Sequence, residues 1–170
     1  MKQTITIKLK PYLQEFLVCK LGDPDISNKN IIGALMSPFL QYVPKDYVYK
    51  PMKGDDYISF DLNRINTRLD TRLGIYVSEE GQKDFQRVLY LHFKDIFVSF
   101  VDDKIRYTKQ IKKCILQFCF DYNMTFDKIS YQTLKKMYYR EKKRQEEQKQ
   151  KNKGKSHLNL SLNCPLLFLL

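Results

Sequence analysis

Chemistry on a phosphodiester or a carbonyl needs acids, bases and nucleophiles gathered at one place, and few stretches of this chain supply them. The best is GDDYISFD, which holds Asp55, Asp56 and Asp61, with Asp70 further on. Carboxylates at a strand edge can hold Mg²⁺ for phosphodiester cleavage. A nuclease of that kind also needs a positioned cation, for which Lys53 is the near candidate. Short acidic turns beside strands are common without catalysis, so no catalytic residue is assigned. The chain has two histidines, His92 and His157, and neither has a nucleophile or acid placed near it in sequence. His92 lies beside an apolar helical face and is expected to be a core or edge histidine. No phosphate-binding GxxxxGK[ST], HExxH or GxSxG stretch occurs. The expectation is a protein that is not an enzyme and takes no cofactor.

The four cysteines, Cys19, Cys114, Cys119 and Cys164, form no CxxC and have no histidine at ligand spacing, so no metal site is expected. They are expected to be reduced, mostly buried thiols of a cytoplasmic protein. The N-terminal MKQTITIKLK has no apolar secretory core, and no run approaches the roughly 20 apolar residues of a membrane span.

The chemistry that does concentrate is positive charge. The chain carries a formal net charge of +11 over 170 residues, a field that attracts polyanions. Residues 135–155 hold ten Lys or Arg against Glu141, Glu146 and Glu147, so this stretch supplies most of the excess. In LKKMYYREKKRQ, at about 100° per residue on a helix, Leu134, Met137 and Tyr138 fall on one narrow arc. Lys135, Lys136, Arg140, Lys142, Lys143 and Arg144 fall on the opposite side, with Tyr139 in the middle of them. Lysine and arginine release condensed counterions from phosphates, so such a face binds nucleic acid with steep salt dependence. Arg140 has the fork to donate twice to a guanine edge, and Tyr139 the ring to stack on an unpaired base. A long solvated helix kept soluble by pairs such as Glu147 with Lys151 is the plainer alternative.

The elements that position this face follow from hydrophobic periodicity. TITIKLK alternates strictly and predicts a strand over 4–10, with Ile5, Ile7 and Leu9 inward. Pro11 suits the first position of a helix bearing Leu13, Phe16, Leu17 and Leu21, which Gly22 ends. Ser27 is placed to cap a second helix, which Pro38 kinks or ends. Residues 41–56 are expected to be a loop, and 57–62 and 73–77 two further strands of one sheet. A central helix is predicted over 79–101 because its apolar face is too wide for a surface helix. Another helix is predicted from Asp103 to Asp121, closed by Asn123 in a left-handed conformation. A short turn over 125–129 then leads to Ser130 as cap of the last helix. The stretch 145–156 is expected to be a disordered basic tail, followed by a short apolar end broken by Pro165.

The opening strand–helix–loop–helix order resembles the ribbon-helix-helix DNA-binding modules, which implies a dimer with strands 4–10 paired and Thr4, Thr6, Lys8 and Lys10 facing the duplex. An ordinary β-α-α start to an α+β domain is the alternative. The helix, turn at Asn123 and capped basic helix are similar to helix-turn-helix modules, although the connection is longer than their compact turn. That resemblance implies that Gln132, Lys135, Lys136, Tyr139 and Arg140 face DNA. Over most of residues 4–144, in particular ITIKLKPYLQEFLVCKLGD and ILQFCFDYNMTFDKISYQTLKKMYYREKKR, the chain also resembles small basic proteins of Bacteroides-type phages and mobile elements. That resemblance implies a phage or plasmid setting and no activity.

Together these readings predict an α+β fold in which a small antiparallel sheet packs on a long central helix, followed by a helical module. The expected boundaries are an α+β core over 1–101, the helical module over 102–144 and the tail over 145–170. The expected function is nucleic-acid binding, DNA before RNA, through Gln132, Lys135, Lys136, Tyr139, Arg140, Lys142, Lys143 and Arg144, in a regulator or replication accessory. The alternative is an interaction or virion protein whose basic helix docks an acidic protein partner. A homodimer is an open possibility, and membrane binding is not expected.

Overall fold

The computed structural model describes residues 4–21, 31–46, 56–61 and 74–161. Contacts divide the chain into two compact units, Met1–Tyr131 and Gln132–Leu170.

In the first unit, alternation builds strand β1 (Thr4–Lys8), with Ile5 and Ile7 buried and Thr4 and Lys8 exposed. Pro11 opens helix α1 (Pro11–Leu21) as expected, and α1 buries Tyr12, Leu13, Phe16 and Leu17. Helix α2 (Ile31–Met36) stops before Pro38, which sits in a single 3₁₀ turn, Ser37–Phe39. The chain then turns extended at Leu40 and forms strand β2 (Leu40–Tyr42). Strands β3 (Tyr57–Asp61) and β4 (Ile75–Val77) precede helix α3 (Glu79–Thr108), and helix α4 (Ile111–Asp121) follows it.

The fold is α+β, with the long central helix expected, but the strands make two small antiparallel sheets rather than one. β1 pairs with β3, setting Ile5 opposite Phe60 and Ile7 opposite Ile58. β4 pairs instead with β2, Leu40 opposite Val77. β2 falls where a helix end and a loop were expected, because three residues are too few to display a period.

β1 is also where the ribbon-helix-helix alternative meets the structure. Leu9 N–H donates to the Asp56 carbonyl (2.8 Å), so the odd-numbered amides face β3. On the opposite edge the amides of Lys8 and Lys10 donate to Oε1 of Gln82 and Gln86, each at 3.1 Å. One edge of β1 is thus taken by its own chain, while on the other edge α3 side chains take the amide of Lys8 and, just past the strand, that of Lys10.

Ser78 caps α3, its Oγ accepting from Gly81 N–H (3.1 Å), and Glu79 and Glu80 sit in the first turn, where the helix dipole favours acids. Phe85, Leu89, Phe93, Phe97 and Val101 form its buried stripe, whereas Leu91 is exposed. The core is aromatic: Phe16 meets Phe93 edge-on (centroids 5.2 Å), and Phe118 of α4 meets Phe97 likewise (5.0 Å). His92 lies at the edge of this cluster, its ring 6.4 Å from that of Phe16.

The expected break near residue 102 is absent, and Asp102 and Asp103 lie inside α3. No glycine or proline interrupts that stretch, and the helix ends later. Lys109 adopts φ 54° and its N–H donates to the Ile105 carbonyl (2.9 Å), a left-handed closure of the helix. The boundary expected between residues 101 and 102 therefore falls within a continuous helix.

Candidate nucleic-acid interface

The segment leading to the basic helix is built as the spacing predicts. Asn123 takes φ 49°; its N–H donates to the Phe120 carbonyl (3.2 Å) and that of Met124 to Cys119 (2.8 Å). This pair of bonds ends α4 as a Schellman motif, with Met124 buried beside it. The next turn closes on the Thr125 carbonyl, which accepts from Lys128 and Ile129, both at 3.3 Å. Glu15 of α1 clamps that turn: its carboxylate accepts from Thr125 N–H (3.0 Å) and Oγ1 (2.8 Å) and lies 3.2 Å from Lys128 Nζ.

Helix α5 (Tyr131–Ser161) starts one residue after Ser130. It runs through 145–156, where a disordered tail was expected. That stretch is rich in Gln, Glu and Lys, all good helix formers. Within α5, Leu134, Tyr138 and Glu141 are buried, at i, i+4 and i+7, while Met137, Lys135 and Lys142 are half-buried. Gln132, Lys136, Tyr139, Arg140, Lys143 and Arg144 are exposed. Lys135 and Lys142 thus border the buried stripe rather than standing on the open arc.

Local pairing divides the cations further. Arg144 donates through Nε and Nη2 to the buried Glu141 carboxylate, and Lys142 Nζ donates to Gln145 Oε1 (3.3 Å). Lys143 is 4.0 Å from Glu147 with both side chains exposed, a pairing of little worth in water. Lys135, Lys136 and Arg140 form no ion pair among the described residues. The Tyr139 ring, about half exposed, meets Tyr138 at 5.8 Å between centroids. The eight residues predicted from sequence therefore sort into an open group (Gln132, Lys136, Tyr139, Arg140, Lys143), a bordering pair and a locally tied Arg144.

The acidic stretch considered for metal chemistry lies partly outside the described residues, namely Lys53, Asp55 and Asp70. Asp56 sits 3.9 Å from Lys8 Nζ, and among the described residues no three His, Cys, Asp or Glu side chains converge as a metal site. Beside Asp56 an open cleft of about 450 Å³ lies between the β1–α1 junction and the first turns of α3. Lys8, Lys10 and Lys83 line it against Asp56 and Glu79, and its amides Gln82 and Gln86 are already engaged by backbone.

Sequence reasoning missed a second cationic surface. Residues 104–120 carry Lys104, Arg106, Lys109, Lys112 and Lys113 and no acid. All five are exposed. A sliding charge count along the sequence finds this run, which is less dense in cations than residues 135–155.

Cys19, Cys114 and Cys119 are free, and Cys114 and Cys119 are buried. Burial pushes the Cys119 thiol up to about 11, with a smaller push from Glu15 against a lowering backbone hydrogen bond. Among the described residues no helix is long and apolar enough to cross a membrane. No family model, curated protein or solved structure matches the chain.

Proposed function

We propose that the protein binds nucleic acid, duplex DNA before RNA, through the exposed arc of α5, without catalysing a reaction. The observation that carries this reading is the division of that helix: Leu134 and Tyr138 buried, and Lys136, Tyr139, Arg140 and Lys143 exposed. Lys136 and Arg140 form no ion pair among the described residues and need break none before meeting phosphate, and Lys143 gives up only an exposed contact with Glu147. Tyr139 adds a ring among them, and Arg140 a fork suited to a guanine edge. The setting that fits a small binder of this kind is that of a regulator or replication accessory of a phage or mobile element.

Binding to a duplex and to an RNA of equal length, titrated with salt, tests the reading. With about five phosphates contacted, the log–log slope for the duplex is roughly −4 to −5. Replacing Lys135, Lys136, Arg140 and Lys143 by Ala flattens that slope and weakens binding, with the fold intact by circular dichroism. A wild-type chain that ignores both polymers at low salt, or a variant that binds as well as wild type, sinks it.

A further inference from the structure

We infer that the outer face of α4, with the corner leading into it from α3, is a docking surface for single-stranded nucleic acid. The inference rests on the nucleic-acid reading above and adds a second place and a preference for strandedness.

Four side chains define the face. Lys112, Leu116 and Phe120 stand at i, i+4 and i+8 on one ridge, and Lys113 lies one position round from Lys112. All are exposed, while Cys114, Ile115, Phe118 and Cys119 fill the buried side. Phe120 is 79% exposed, and Tyr107, in the last turn of α3, is 86% exposed. A single exposed apolar side chain is ordinary. Here two nearly naked rings stand in a stretch of 17 residues, 104–120, with five cations and no acid.

The charge decides the occupant. Arg106, Lys109, Lys112 and Lys113 form no ion pair among the described residues, so no described carboxylate holds them. The one carboxylate of α4, Asp121, sits at its C-terminal end and accepts from Gln117 Nε2 (2.6 Å). An apolar protein surface would match Leu116 and Phe120 but not this charge. A phosphate backbone matches the charge, and unpaired bases match the rings, because every base has a face to stack. In a duplex the base faces are already stacked on each other, so the rings have no partner there. Rings flanking cations thus favour a single strand.

The test measures binding of the full chain, at low salt, to a labelled thymidine homopolymer of about 15 nucleotides and to a duplex of the same length. Tyr107→Ala with Phe120→Ala is expected to weaken the single strand at least about tenfold and to leave the duplex within about twofold. Tyr107→Phe with Phe120→Tyr keeps the rings and should bind the single strand like wild type. The inference is overturned by an unchanged single-strand affinity in the alanine pair, or by equal losses on both probes. It is overturned as well if sedimentation shows that Phe120→Ala abolishes self-association while single-strand binding stays, which would make the face a contact between copies. The two proposals separate cleanly. If the four-alanine α5 variant holds duplex like wild type, the α5 reading fails and the α4 face is judged on the single strand alone. If the wild-type chain binds neither probe, both fall.

Discussion

Glu15 accepts both hydrogen bonds that Thr125 can donate, 3.0 Å from its amide and 2.8 Å from its hydroxyl, across 110 residues of sequence. Lys128 completes the arrangement at 3.2 Å. The carboxylate stands where a helix cap would, but it comes from another helix, so it ties α1 to the turn after α4. Hydrogen bonds to a charged acceptor are each worth about 1.5–3 kcal/mol. Glu15→Ala should therefore lower unfolding free energy by about 2 kcal/mol in urea titration. In a double-mutant cycle with Thr125→Ala the coupling should exceed about 0.5 kcal/mol; additive losses would mean that the contact contributes nothing.

Gln82 joins the two small sheets. Its Oε1 accepts from Lys8 N–H of β1 (3.1 Å) and its Nε2 donates to the Val77 carbonyl of β4 (3.2 Å). Gln82→Leu keeps the bulk and removes both bonds, leaving two backbone groups to find water. The expected loss is about 1–3 kcal/mol, read as a lower thermal midpoint, with Gln82→Glu restoring less than the native amide because it cannot donate to Val77.

Lys109 occupies left-handed space at φ 54°, where a side chain costs about 1 kcal/mol relative to glycine. Lys109→Gly should therefore raise stability by up to about 1 kcal/mol, while removing one cation from the α3–α4 corner. Thermal melts and single-strand binding of this one variant should move in opposite directions.

The thiol of Cys119 is pushed up to about 11 by burial from an ordinary 9.0. A raised value means that the folded state favours the neutral thiol. Its contribution is complete below pH 9, and it is lost as pH rises through about 11. Tyr12, pushed up to about 12 by burial and by Tyr90, acts in the same direction at higher pH. Thermal stability should thus fall from pH 9 upward, and less steeply in Cys119→Ala. Alkylation followed by mass spectrometry at pH 8 should find Cys114 and Cys119 slow, and fast once urea is added.

Much of the frame was legible because it rests on local rules. Strict alternation marked β1, Pro11 the start of α1, a wide apolar face the body of α3, and Asn123 the end of α4. The polarity of α5 was legible for the same reason: buried Leu134 and Tyr138 and exposed Lys136 and Arg140 follow from helical spacing. What stayed hidden depends on partners far away in sequence. β2 is three residues long and exists because β4 lies opposite it. Glu141 is only three residues from Arg144, but its place on a buried stripe, and with it the tie that closes off Arg144, is set by packing rather than by spacing.

By itself the sequence determined where β1, α1, α3 and α5 begin, which side of α5 is oily, and that positive charge collects at 104–113 and 135–155, because propensity, capping and periodicity act over a few neighbouring residues. Only the tertiary structure decided which strands pair, which amides Gln82 and Gln86 satisfy, and which rings and cations stay open to solvent. Those outcomes turn on contacts between residues tens to a hundred positions apart, and no local pattern encodes such distances.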